Sequence, residues 1–129
     1  ARRVPDAAAV VVARLVELGI ETAVKALVDR SRPVFGHPVA TAGGAAFPSG
    51  HTAGSAALYG ILVLLLVRRA LVTVAATVFV LAVGASRVVL GVHYLSDVVG
   101  GLALGIAVAA GTVLLRDWAT ARFLVKKRV

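Results

Sequence analysis

The sequence predicts an all-α membrane protein, a bundle of about four transmembrane helices with its chemically able side chains gathered at one set of helix ends. Three observations lead there. Hydrophobic residues make up 60% of the 129 and charged residues 16%, with a mean hydropathy of +0.96, whereas a soluble domain is about half apolar and roughly a quarter charged. The apolar residues fall into four long runs, each near the roughly 17–25 residues that a span requires. The polar residues suited to chemistry sit at the breaks, in Lys25-x6-Arg32-Pro33, Pro48-Ser49-Gly50-His51 and Ser86-Arg87-x5-His93-x3-Asp97.

The first helix is expected over Asp6 to Arg30. Its apolar pattern runs through Ala7–Ala13, Leu15, Val16, Leu18, Ile20, Val24, Leu27 and Val28. Arg14, Glu17, Glu21 and Lys25, spaced by three or four, form one polar stripe that should face protein and not lipid. Pro33 disfavours helix in the residue before it and ends the segment. A loop rich in Gly, Ala and Pro follows from Phe35 to Pro48. The second helix is expected over His51 to Val67, its first half made of small residues that permit close packing. Arg68-Arg69 makes a basic turn. The third helix runs from Ala70 to about Val89, and Gly91 marks the break. The fourth runs from about Tyr94 to Leu115 and carries Gly101 and Gly105, with Asp97 and Ala109 at the same spacing. That pattern reads equally as a helix-packing motif or as scatter in a glycine-rich chain. Trp118 suits the membrane interface.

A length of 129 residues allows one domain at most. Zero Cys excludes a disulfide framework, a cysteine zinc site and thiol catalysis. The chain holds no Met, so Ala1 is not expected to be a natural start, and a trimmed chain or a piece of something longer is expected. The net charge of +8 could suggest nucleic acid, but the cations flank apolar runs and no basic face with interleaved aromatics exists, so no nucleic-acid partner is expected. Arg2, Arg3, Arg68, Arg69, Arg116, Arg122, Lys126, Lys127 and Arg128 mark one set of helix ends. Lys25, Arg30, Arg32 and Arg87 mark the other. The bias of nine to four puts the first set in the cytoplasm and all three polar segments outside it.

Taken singly, each segment has a plain reading. Lys25 and Arg32 read as flanking charges. Pro48-Ser49-Gly50-His51 reads equally as a helix start capped by Ser49. His93 and Asp97, at i and i+4, could form a hydrogen bond on the helix surface. Together they suit a phosphate. Three cations can neutralise its oxygens, and the free N–H groups opening the second helix can join them. One histidine, held in one tautomer by Asp97, can attack phosphorus while the other protonates the leaving oxygen. No second carboxylate stands beside Asp97, so a magnesium-dependent site is poorly supported.

These segments resemble the type 2 phosphatidic acid phosphatase family, whose site is shared by vanadium haloperoxidases and bacterial class A acid phosphatases. The family pattern of Lys-x6-Arg-Pro, Pro-Ser-Gly-His and Ser-Arg-x5-His-x3-Asp is matched here at all eleven positions, in order and spacing, across residues 25–97. The resemblance implies that 1–129 is a membrane-embedded phosphatase domain in which His93 is the nucleophile and forms a phosphohistidine. Asp97 would orient it, and His51 would protonate the leaving group and then activate water. Lys25, Arg32 and Arg87 would bind the phosphate oxygens, Ser49 and Gly50 would complete the cradle, and Pro33, Pro48 and Ser86 would be supporting positions. No metal or other cofactor is implied. Membrane members usually have six spanning helices. Four are found here, so either a preceding pair is missing or this is a small member able to self-associate as a homo-oligomer. His37, Asp29 and Arg30 match no motif position, and His37 is read as a loop residue.

The expected function is therefore hydrolysis of a lipid phosphate at the extracytoplasmic face of a bacterial plasma membrane. Polyprenyl phosphates or diphosphates, phosphatidylglycerol phosphate and phosphatidic acid are the candidate substrates. Two alternatives stand beside it. A haloperoxidase binding vanadate is opposed by the four apolar runs, because those enzymes are soluble. A transporter or non-catalytic membrane subunit is opposed by the apolar middles of helices two to four and by a motif set with no member lost.

Overall fold

The computed structural model describes residues 3–34, 40–67 and 69–126. His37 lies outside them, as do Arg2, Arg68, Lys127 and Arg128. The chain forms α1 (Arg3–Val28), α2 (Gly50–Leu62), α3 (Ala70–Val89) and α4 (Leu95–Lys126), and no strand occurs among the described residues. Two of the four, α3 and α4, are long and apolar enough by themselves to cross a membrane. At 26 residues α1 has the length, about 39 Å at 1.5 Å per residue, but its polar stripe interrupts the apolar surface. The 13 residues of α2 are continued by a π-helical turn over Val63–Val67. This wider turn carries Leu65 against the core.

Three C-terminal boundaries differ from expectation. The first helix ends at Val28 and not at Arg30, because Asp29 adopts a left-handed φ of 41° while its N–H closes the last turn on Lys25 O at 2.9 Å. Such a residue terminates a helix by satisfying one of its last carbonyls. The second helix becomes a π turn after Leu62 in place of running uniformly to Val67. The fourth passes Leu115 and continues to Lys126. Its last turns, rich in Ala, Arg, Leu and Lys, favour helix, and no Gly or Pro follows Gly111. Two contacts hold this extension, Arg122 over the Trp118 ring at 4.2 Å and Arg116 paired with Asp6 of α1 at 2.7 Å.

The second helix is the hub, packing on the other three and most extensively on α4. Small residues make that approach possible. A Cβ added at Gly101 would lie 2.5 Å from Ser49 O and 3.2 Å from Ala53 N. One at Gly105 would lie 2.5 Å from Ala53 O and 2.9 Å from Ala57 N. The repeated glycines of α4 are therefore a packing surface, since backbone stands where their side chains would be. Below it, Ala13, Ala57, Ile61, Val108 and Ala109 join α1, α2 and α4 in one apolar cluster. The polar stripe of α1 turns inward as expected, with Glu17 and Glu21 buried, while Leu15, Leu18 and Leu27 are exposed.

Candidate active site

The helix order brings the three polar segments to one end of the bundle, around an open cavity of about 720 Å³. Lys25 and Glu21 enter it from α1, Arg32 from the chain after α1, Gly50 and His51 from the start of α2, Arg87 from the end of α3, and His93 from the turn before α4. Glu21 is the one acidic residue among its described lining, against four cations: Arg14, Lys25, Arg32 and Arg87. A cavity so lined attracts anions.

His93 stands in the short turn between α3 and α4, where Gly91 takes a φ of 71° that a glycine adopts without strain. Its ring is 5% exposed. Arg32 Nη1 lies 3.3 Å from His93 Nε2. A guanidinium has donors only, so this contact makes Nε2 the acceptor and leaves the ring proton on Nδ1. That nitrogen faces Asp97 Oδ2 at 3.5 Å. Nε2 is therefore the unprotonated ring nitrogen, as an attacking nitrogen must be, and its lone pair accepts from Arg32. Burial first, and then the positive charge of Arg32, hold the His93 pKa below the ordinary imidazole value, against the opposing pull of a hydrogen bond to the Ala46 main chain and of Asp97.

Asp97 is fully buried. As the third residue of α4 it reaches back, and its Oδ2 accepts the Tyr94 N–H at 2.8 Å. This is half of a capping box. Its Oδ1 accepts from Arg30 Nη1 at 2.9 Å. Its main-chain carbonyl takes the Ser49 N–H at 2.9 Å, which docks the start of α2 on the start of α4.

The predicted phosphate-binding residues occupy different positions. Lys25 Nζ pairs with Glu21 Oε1 at 2.5 Å, and the Glu21 carboxylate lies directly against Gly50. Arg32 also donates to the carbonyls of Gly43, Gly44 and Val92 at 2.9–3.0 Å and to Ala45 O at 3.4 Å, so at the cavity wall it clamps the loop before α2 to the turn before α4. Arg87 is steadied by Ser86, whose hydroxyl donates to Val83 O at 2.7 Å and accepts from Arg87 Nε at 3.1 Å. Pro33 follows Arg32 beside a smaller pocket, and Pro48, after a cis peptide, is buried. Gly50 opens α2 with no side-chain cap on its first N–H groups, a termination suited to anions. His51 is exposed at the cavity.

Ser49, expected in the cradle, is fully buried, does not line the cavity, makes no side-chain cap, and accepts from Thr52 Oγ1 at 3.1 Å. With its N–H committed to the Asp97 carbonyl, it braces the α2–α4 junction.

Three participants were not foreseen. Arg14, whose guanidinium pairs with Glu17 and lies against Gly54, lines the cavity one α2 turn below His51. Glu21 holds Lys25. Arg30, which matched no motif position, reaches Asp97. The stripe periodicity pointed to Arg14 and Glu21 facing protein, but nothing local signalled Arg30. Among the described residues no three His, Cys, Asp or Glu side chains cluster as a metal site would require.

Known proteins are similar to this chain in sequence and in fold. Phosphatidylglycerophosphatase B of Bacillus subtilis (strain 168) is 37% identical over 90 residues, 64% of this chain and 44% of that protein. The crystal structure of the first transmembrane PAP2 type phosphatidylglycerolphosphate phosphatase from Bacillus subtilis matches with a TM-score of 0.82 at 28% identity, over 90% of this chain and 61% of that one. The chain thus spans less than half the length of the first relative and about three fifths of the second. The PAP2 superfamily model matches residues 6–121, and this chain, an integral membrane helical bundle, belongs to that superfamily.

Proposed function

We propose that this protein hydrolyses a lipid phosphomonoester or diphosphate through a phosphohistidine, with its site opening outside the cytoplasm. One observation carries the reading: a buried imidazole, held between Arg32 and Asp97, presents Nε2 to a cationic cavity that a second imidazole also lines. Lys25, Arg32, Arg87 and the N–H groups opening α2 take the phosphate oxygens. His93 Nε2 attacks phosphorus, and the ester oxygen leaves with a proton from His51. The imidazolium character of the phosphohistidine, with its proton on Nδ1, is stabilised by Asp97. His51, now neutral, takes a proton from water as that water attacks phosphorus, which returns His93 and releases inorganic phosphate. The names of the two relatives favour phosphatidylglycerophosphate over polyprenyl phosphates as substrate. The extracytoplasmic assignment rests on the cation count, which leaves the motif-side ends poor in charge apart from site residues.

The test is phosphate release by the purified protein from phosphatidylglycerophosphate, phosphatidic acid and polyprenyl phosphates, in detergent with excess EDTA. Turnover of at least one of these lipids, blocked by vanadate as a mimic of five-coordinate phosphorus, is expected. Loss of all activity on chelation, restored by magnesium, would overturn the mechanism.

A further inference from the structure

We infer that Arg30, at an unspecified position of the first motif segment, is a positioning residue that holds the Asp97 carboxylate in the orientation the His93 nucleophile needs. This inference rests on the proposed phosphatase reading.

The geometry is specific. The two hydrogens of Arg30 Nη1 go to Asp97 Oδ1 at 2.9 Å and to Ser96 Oγ at 2.6 Å. The guanidinium lies over the Tyr94 ring, 4.3 Å from its centroid, a face that attracts cations. Arg30 O accepts the Ala46 N–H at 2.7 Å, which anchors its main chain to the loop before α2. Arg30 thus grips three of the four residues Tyr94 to Asp97 at the α4 start. It does not line the main cavity, and its guanidinium is committed to Asp97, Ser96 and Tyr94, so substrate binding is not its task. Arg30 and Arg32, two residues apart, divide the work: Arg32 meets the nucleophile's Nε2, and Arg30 meets the carboxylate facing its Nδ1.

Two consequences follow from the chemistry. First, Oδ2 is capped by the Tyr94 N–H and Oδ1 is held by Arg30, so the carboxylate cannot rotate away from His93. Second, the Arg30 charge offsets part of the Asp97 charge felt by the imidazole. This favours the neutral, nucleophilic ring before attack. The other charged and imidazole groups lining the cavity with His93 are Arg32 from the chain after α1, Arg14, Lys25 and Glu21 from α1, His51 from α2 and Arg87 from α3. None of them touches Oδ1.

The experiment compares wild type, Arg30→Gln and Arg30→Lys in detergent, with rates normalised to the concentration of vanadate-binding sites. Arg30→Gln is expected to lower kcat on the order of 10- to 100-fold, the scale of a small misplacement at a reacting centre, with KM within about twofold. It should also move the acid limb of the kcat/KM profile upward by roughly one pH unit, because Asp97 then favours the imidazolium unopposed. Arg30→Lys, which keeps the charge and loses the fork, should leave the limb near its wild-type position with kcat still reduced. If Arg30→Gln does not fold, the KM-against-kcat split of Arg30→Lys decides. Arg32→Gln is the contrast and should raise KM. An unchanged profile with unchanged normalised kcat would overturn the inference, as would a loss of active sites with no change in profile. Titration of the ring nitrogens in 15N-histidine protein gives a readout without turnover: the His93 midpoint should rise in Arg30→Gln. Should wild type release no phosphate, the phosphatase reading fails while this titration still tests Arg30.

Discussion

Adding one methyl group at Gly101 should impair the active site from outside it. The Cβ of a Gly101→Ala variant would stand 2.5 Å from Ser49 O, 3.1 Å from Thr52 Cβ and 3.2 Å from Ala53 N. Non-bonded heavy atoms prefer separations of about 3.5 Å or more, so α2 and α4 must part by about 1 Å. The nearest atom is backbone and cannot swing aside. Overpacking of this kind costs about 1–3 kcal/mol, which outweighs the gain of about 1 kcal/mol that alanine brings to a helix. The same displacement strains the Ser49 N–H bond to Asp97 O, and with it the placement of His51 relative to His93. A misplacement of about 1 Å costs catalysis roughly 100-fold. Gly111→Ala is the control, because nothing lies within 4 Å of its added Cβ. The assay is phosphate release from phosphatidylglycerophosphate in detergent micelles, alongside thermal unfolding of both variants. Gly101→Ala should lose rate and melt earlier, and Gly111→Ala should keep its rate and melt no earlier. Wild-type rate and melting in Gly101→Ala would refute the argument that backbone contact at the α2–α4 crossing sets the site.

Three further outcomes are expected. His93→Ala should lose activity by several orders of magnitude while melting close to wild type, and retention of more than a tenth of the rate would assign the attack to another group. The pH–rate profile should be a bell whose acid limb lies below the ordinary imidazole value of about 6.5. The sign follows from the neutral form of His93 being the nucleophile and from burial and Arg32 lowering its pKa, so activity persists further into acid. A monotonic profile would count against the paired roles. In intact cells, a membrane-impermeant thiol reagent should label a Thr41→Cys variant and not a Thr120→Cys variant, both at exposed positions, and the reverse pattern would refute the orientation.

Local chemistry explains how much could be read without coordinates. Apolar runs and breakers such as Pro33 and Gly91 announce helices and their ends because propensity and hydropathy act within a few residues. The motif segments suggested one site because Lys25, Arg32, Arg87, His51, His93 and Asp97 are chemically costly in so apolar a chain, and alternation of the helices alone put them at one end. The stripe of α1 was readable for the same reason, since Glu17 and Glu21 had to find protein. Other features depend on which segments meet. Arg30 and Asp97 are 67 residues apart, and no periodicity marks them as partners. The main-chain N–H of Ser49 meets the Asp97 carbonyl, a brace between α2 and α4 that no local pattern announces. Gly101 and Gly105 became a packing surface only when the backbone of α2 lay against them. The charge of Lys25 could be read in advance, but its pairing with Glu21 beside Gly50 could not. Residue types determine which interactions are affordable in an apolar chain, and the docking of α2 on α4 decides which of them are made.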